Sequence, residues 1–311
     1  MAKFDIRDFR GVIPAMAAVF DENENVCVER TKELVDWQLD HGVRGFYLTG
    51  STGEAFLMDA AERNLIVDTV IKHVNGRVPV VVHVGDIGTK KSIALAEYAY
   101  KAGADGISSV PPFYWKFSAS DIFGYYKDIS EAAPLPMIVY NIPLAGIMSL
   151  DTIFKLAELE QVRGVKYTAT THDEIIQIKH RLGSDFMLYS GCDEMAVSGI
   201  LAGADGLIGS FYNVIPEFFT RLYECLEKND IHMAARCQKI ATLIIKESLA
   251  YDFLSVIKVM LNWRGIDAGC CRRPFTRYTA DEMEPLRKKL LEIGESFQAD
   301  DFEFFRDINR I

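Results

Sequence analysis

Short apolar, β-rich runs recur along most of the chain, and each is followed by a longer stretch with helical periodicity. The runs are Gly11–Met16, Gly45–Leu48, Val80–Val84, Gly106–Val110, Met137–Tyr140, Val162–Lys166, Phe186–Tyr189 and Gly206–Gly209. Their starts lie roughly 20 to 35 residues apart, close to one strand-plus-helix unit. Between them Thr31–His41, Ala60–His73, Lys91–Ala102 and Glu174–Leu182 read as amphipathic helices. In the third, Ile93, Ala96 and Tyr100 are expected on the buried face. Ser118 to Asp121, just ahead of Ile122, reads as a helix N-cap region. Strands this apolar, alternating with helices, predict a parallel sheet buried on both faces. Eight such units predict an α/β fold closed into a (β/α)8 TIM barrel.

An internal repeat supports the period. Ala102–Ile107 and Ala202–Leu207 are nearly identical, and His41–Phe46 shares their glycines. Each reads as a helix stop with Gly in a left-handed position, then a tight turn into a strand. After about Glu217 the strand signals end, and Phe218–Lys228, Met233–Tyr251, Phe253–Trp263 and Glu282–Phe297 read as helices. The expected organisation is a barrel over 1–230 with a C-terminal helical extension, 231–311, packed on it. The tail Ala299–Arg306 alternates acidic and aromatic residues, and two readings stay open: docking on a partner subunit, or a fraying terminal helix.

Composition narrows the function classes. The 311 residues are 49% apolar and 25% charged, which excludes disorder and coiled coil. With 34 basic and 44 acidic residues the net charge is −10, so a nucleic-acid partner is not expected. No apolar run approaches the roughly 18 residues that cross a bilayer, and Met1–Arg10 lacks the apolar stretch of a secretory signal. A cytoplasmic protein without membrane contact is expected. The six cysteines show no CxxC spacing and read as free thiols, with Cys270 and Cys271 as small core residues. The six histidines show no HExxH or similar spacing, so no metal is expected.

In a barrel of this kind the site lies at the C-terminal ends of the strands. Lys166 ends the sixth run. An ammonium there is costly to bury, so Lys166 is either a desolvated amine able to attack a carbonyl or a lysine snorkelling to the barrel mouth. Tyr140, on the neighbouring strand, is either a proton carrier or a packed tyrosine. Gly50–Glu54 is a Gly-flanked turn whose two hydroxyls and amides suit a carboxylate, though such turns are common. Asp193 and Glu194 follow the seventh run, where ligand binding and helix capping both fit. Gly203–Ser210 has the make-up of a phosphate-gripping turn or of an ordinary strand entry.

Taken in order, GSTGE at 50–54, PPFY at 111–114, YNIP at 140–143, GVKYT at 164–168 and the GxDE stretch at 191–194 resemble the pyruvate-dependent family that includes dihydrodipicolinate synthase and N-acetylneuraminate lyase. The likeness runs from about Gly11 to Pro274. It implies a (β/α)8 barrel with C-terminal helices, assembled as a homotetramer that is a dimer of dimers. It implies no cofactor beyond a covalent Schiff base between a lysine and pyruvate. Lys166 matches the Schiff-base lysine, Tyr140 the proton-shuttling tyrosine, and Ser51 with Thr52 the pair that holds the pyruvate carboxylate. Tyr114 matches an aromatic that reaches into a neighbour's site, and Thr168 a sugar-contacting threonine.

The family's branches differ at two places. The YNxPxRT pattern of the dihydrodipicolinate synthases carries an arginine for a second carboxylate, and here that position is Ala145. Gly191, Asp193 and Glu194 resemble the GxDE of the sugar-acid branch, where the carboxylates accept hydrogen bonds from a polyol tail, and Ser210 matches a further hydroxyl contact. One glycine is displaced: Gly146 stands one residue early and Ile147 occupies its usual place. The resemblance thus implies a sugar-acid substrate, N-acetylneuraminate cleaved to N-acetylmannosamine and pyruvate. Another 2-keto-3-deoxy sugar acid, or 4-hydroxy-tetrahydrodipicolinate synthesis, is the alternative.

Overall fold

Eight parallel strands stand side by side in one sheet, ordered β1-β8-β7-β6-β5-β4-β3-β2, in the computed structural model, which describes residues 3–311. They are β1 (Gly11–Pro14), β2 (Phe46–Leu48), β3 (Val80–His83), β4 (Gly106–Ser109), β5 (Met137–Asn141), β6 (Val162–Tyr167), β7 (Met187–Ser190) and β8 (Gly206–Gly209). A parallel bridge between Ala15 and Tyr47 closes β1 onto β2 and makes the sheet a barrel. All eight expected strands are present. Nearly every strand residue is buried, as a sheet covered on both faces requires.

The helices on the outside are α1 (Val28–Asp40), α2 (Ala60–Val74), α3 (Thr89–Ala102), α4 (Ala119–Ala132), α5 (Leu150–Leu156), α6 (His172–Leu182), α7 (Ala196–Leu201) and α8 (Pro216–Glu227). Beyond the barrel come α9 (Ile231–Ser248), α10 (Phe253–Trp263), α11 (Ala280–Ser296) and α12 (Glu303–Ile308). Ser118 caps α4 in a reciprocal box with Asp121, as its sequence predicts. The buried face of α3 is Ser92, Leu95, Ala96 and Ala99, while Tyr100 is exposed. The buried face is therefore rotated by about one position from the expected one. Short α5 and α7 complete the fifth and seventh strand-plus-helix units, for which the sequence sets no bounds.

The repeat has a second use beside its turns. Gly103 and Gly203 are left-handed, with φ of 93° and 112°, and end their helices. The aspartate that follows then clamps the strand on the other side of the helix, the one before it in the chain. Asp105 donates its N–H to Val80 O and its carboxylate accepts the Val80 N–H, both at 2.9 Å. Asp205 does the same with Leu188, whose N–H meets the carboxylate at 2.8 Å.

Inside the barrel, Phe9 closes the N-terminal end by packing edge-on to Tyr189 at 5.4 Å. Above it Ile13, Tyr47, Val81, Ile138, Tyr140 and Ile208 fill the interior. The acidic-aromatic tail neither frays nor stands free. Phe302, Phe304, Phe305 and Ile308 are buried, and Phe302 stacks on Phe218 of α8 at 3.8 Å with the rings 6° apart. All six cysteines are unpaired; Cys271 is buried, but Cys270 is exposed and is not the core residue expected.

Candidate active site

Lys166 points into the barrel mouth from the C-terminal half of β6, only 3% exposed. Its Nζ lies 4.0 Å from the centroid of the Tyr140 ring and 4.7 Å from that of Tyr47. Burial pushes its pKa down to about 7, against a smaller upward pull from Asp193. A substantial share is therefore the free amine at neutral pH, the form that adds to a carbonyl. Burial acts oppositely on Tyr140, whose phenol is raised well above its usual range. The phenol stays protonated where the amine is free.

Two more groups close around this pair. Gly191, after β7, leaves room for them: a Cβ there would sit 1.9 Å from Thr168 Oγ1 and 3.3 Å from Lys166 Cε. Thr168 Oγ1 is buried and has no hydrogen-bond partner in the protein, so it is available to a ligand. Across the mouth, the hydroxyls of Thr52 and Ser210 meet at 2.7 Å, joining the turn after β2 to the one after β8. Ser51 is half-buried beside a cavity of about 470 Å³, also lined by Phe56, Phe113, Ile142, Ala145 and Phe253. The wall of that cavity is almost wholly apolar.

The two acids expected to act together part company. Asp193 is buried; its Oδ2 accepts the Phe211 N–H at 2.8 Å and its Oδ1 has no partner. Burial raises its pKa to about 7. Asp193 thus braces the turn that carries Ser210 and does not cap the helix after β7. Glu194 faces outward, 3.7 Å from Lys246, and lines a separate groove with Asp173 and Gln238. Tyr114 is 84% exposed on the rim in a left-handed conformation with φ 80°.

Several buried polar residues at the mouth had no signal in the sequence. His83, at the end of β3, accepts the Val110 N–H on Nε2 at 3.2 Å, so its Nδ1 carries the proton and donates to Thr49 O at 3.1 Å. Burial keeps it neutral, its pKa far below the ordinary value. Asn213 accepts from the Ala17 N–H and donates to Ala15 O and Ser210 O, tying the β1 and β8 ends together. Among the described residues no three His, Cys, Asp or Glu side chains gather as a metal would require. No described helix is long and apolar enough to cross a membrane.

Fold and mouth together define a (β/α)8-barrel protein with its chemistry at the strand ends. The dihydrodipicolinate synthetase family model matches residues 8–293, and the chain belongs to that family. It is 37% identical over 285 residues to N-acetylneuraminate lyase 2 of Escherichia coli O6:H1, covering 90% of this chain and 93% of that protein. A Ruminococcus gnavus sialic acid aldolase, solved as a catalytic lysine mutant, is similar with a TM-score of 0.90 at 29% identity, over 96% of this chain and 99% of that one. A prophage protein of the dihydrodipicolinic acid synthase family from E. coli K12, solved with pyruvate, has a TM-score of 0.86 at 26% identity, over 93% and 99%.

Proposed function

We propose that the protein is a class I aldolase that cleaves N-acetylneuraminate to N-acetylmannosamine and pyruvate through a Schiff base on Lys166. The observation that carries the reading is the buried Lys166 amine, with its pKa near 7, against the face of Tyr140. The relatives named for this substrate support it, as does Ala145 in place of a second carboxylate anchor.

The free amine of Lys166 adds to the C2 ketone of the open-chain sugar acid, and loss of water leaves a protonated imine. Tyr140 gives its phenol proton to the hydroxyl that leaves as that water, and the phenolate so formed takes the C4 hydroxyl proton, directly or through the substrate carboxylate. The C3–C4 electron pair then flows into the imine, giving the aldehyde of N-acetylmannosamine and an enamine on lysine. Protonation at C3 and hydrolysis release pyruvate and restore the amine. Ser51 and Thr52 hold the carboxylate, while Thr168, Gly191 and Ser210 face the sugar; the buried Asp193 supports Ser210 from behind, and Glu194 reaches the polyol only by leaving Lys246.

Tyr114, exposed on the rim beside Trp115 at 4.8 Å, suits contact with a second copy in a homotetramer. Six unpaired thiols suit a reducing cytoplasm. A second reading, a different 2-keto-3-deoxy sugar acid, is favoured by the strand-five loop, where Gly146 takes φ 90° and Ile147 is half-exposed.

Pyruvate release from N-acetylneuraminate, compared with a panel of 2-keto-3-deoxy sugar acids, tests both readings. Preferred release from N-acetylneuraminate is expected. Preferred release from another acid selects the second reading, and release from none overturns both.

A further inference from the structure

We propose that Glu54 and Lys258 are positioning residues: one buried ion pair that holds the Ser51–Thr52 turn in register and makes the C-terminal helices part of the active site. This rests on the reading above, in which that turn grips the carboxylate of pyruvate.

Glu54 ends the GSTGE turn, and its N–H donates to Ser51 O at 3.0 Å, closing the loop that presents Ser51 and Thr52. Its backbone is left-handed, with φ 53°, a conformation that a residue with a Cβ adopts at a cost. The side chain supplies what holds it there. The Glu54 carboxylate is fully enclosed, accepts the Arg272 N–H at 2.8 Å, and lies 3.6 Å from Lys258 Nζ.

Lys258, from the middle of α10, is equally buried. Its ammonium donates to Ala18 O and to Ala268 O, and lies 4.9 Å from the centre of the Phe20 ring. Ala18 belongs to the segment after β1, whereas Ala268 and Arg272 belong to the segment after α10. The Arg272 side chain binds Leu57 O and Glu62, just beyond the turn. Three stretches far apart in sequence therefore meet on one ammonium and one carboxylate. Each is the other's direct ion-pair partner, the nearby Arg272 guanidinium being paired with Glu62, and stranding one charge in such a place is strongly unfavourable. A shift of about 1 Å in the turn is enough to degrade the fit of its hydroxyls to a small anion.

The test titrates pyruvate against the full chain, traps the Lys166 adduct with borohydride and quantifies it by intact mass. In Glu54→Gln the half-saturating pyruvate concentration should rise about tenfold or more, with the adduct at saturation within about twofold of wild type. Lys258→Met should shift the same way, and Glu54→Asp should recover part of the loss. Should the single variants not fold, Glu54→Leu/Lys258→Met, which removes both charges together, is titrated instead with the same expectation. An unchanged half-saturation overturns the proposal, as does loss of adduct at saturation without a shift. Failure of the wild-type chain to trap pyruvate overturns the aldolase reading and this proposal with it; wild-type trapping without a variant effect overturns this proposal alone.

Discussion

Tyr140 and Lys166 are register partners on β5 and β6, and the Lys166 amine rests 4.0 Å from the centre of the Tyr140 ring. The contact removes water from both groups and drives their titrations apart, the amine downward and the phenol upward. At neutral pH the mouth therefore holds a nucleophile and a proton donor together, where two exposed groups would present an ammonium and a phenol. The shift has a cost in stability, and that cost is measurable.

Lys166→Met should make the protein more stable at pH 7. The folded pKa is about 7, against about 10.4 for an unfolded lysine. Between those values the unfolded chain binds a proton that the native chain lacks, so stability rises with pH across that window. The penalty is complete below about pH 7 and absent above about pH 10.5. The gain at pH 7 should be on the order of 4 kcal/mol, shrinking toward zero near pH 10. Urea unfolding at the two pH values checks this. Equal gains at both, or a loss at pH 7, would show that burial does not disfavour the ammonium.

Asp193→Asn should move the acid limb of pyruvate adduct formation to lower pH. The carboxylate pulls the Lys166 pKa upward, so removing its charge lets the amine stay free in more acidic solution. The amide oxygen still accepts the Phe211 N–H, which keeps the Ser210 turn in place. Adduct trapping from pH 5 to 9 reads the limb directly, and a limb that stays put or moves upward contradicts the assignment.

Tyr140→Phe separates imine formation from bond cleavage. The ring that covers the amine remains, so Lys166 should still trap pyruvate to within a few-fold of wild type. Without the phenol there is no group to take the C4 hydroxyl proton, and turnover of N-acetylneuraminate should fall by roughly 10²–10⁴. Parallel loss of trapping and turnover would make Tyr140 a packing residue.

Much of this was legible in the chain because the informative patterns are local. Each strand is one continuous apolar run, and Lys166 and Tyr140 stand out as polar residues ending such runs. The supports of the site are not local. Lys258 binds Ala18 across 240 positions and Glu54 binds the Arg272 amide across 218. No spacing rule connects partners so distant, and a buried Glu or Lys looks in sequence like any surface charge. Asp193 and Glu194 are adjacent in sequence, yet one turns inward and the other toward α9; a pair of acids does not announce which way each will point. Helices as short as α7, with six residues, offer too few turns for periodicity to separate from chance. In α3 the buried stripe shares Ala96 with the one read through Tyr100 but continues through Ser92, Leu95 and Ala99, and small or polar residues such as Ser92 and Ala99 carry little apolar signal beside a tyrosine.

The tail shows the same limit and yields the last expectation. Alternating acids and aromatics suit a terminal helix docked on any apolar surface; the fold supplies that surface from this chain. Phe302 stacks on Phe218, and the guanidinium carbons of Arg221 and Arg236 lie 5.2 and 5.5 Å from its ring centre while both side chains pair with Asp301. Phe302→Ala leaves a void on the face of the Phe218 ring, which keeps its edge-on contact with Phe305 at 6.0 Å, and a truncation of that size in a packed site costs about 3–5 kcal/mol. The melting temperature should fall by roughly 5–10 °C. The half-saturating pyruvate concentration should hold near its wild-type value, because the stack does not touch the residues of the mouth. Calorimetry beside sedimentation decides between tail and partner. A variant that melts like wild type but sediments as a smaller assembly would mean that the aromatic tail serves a neighbouring subunit and not its own barrel.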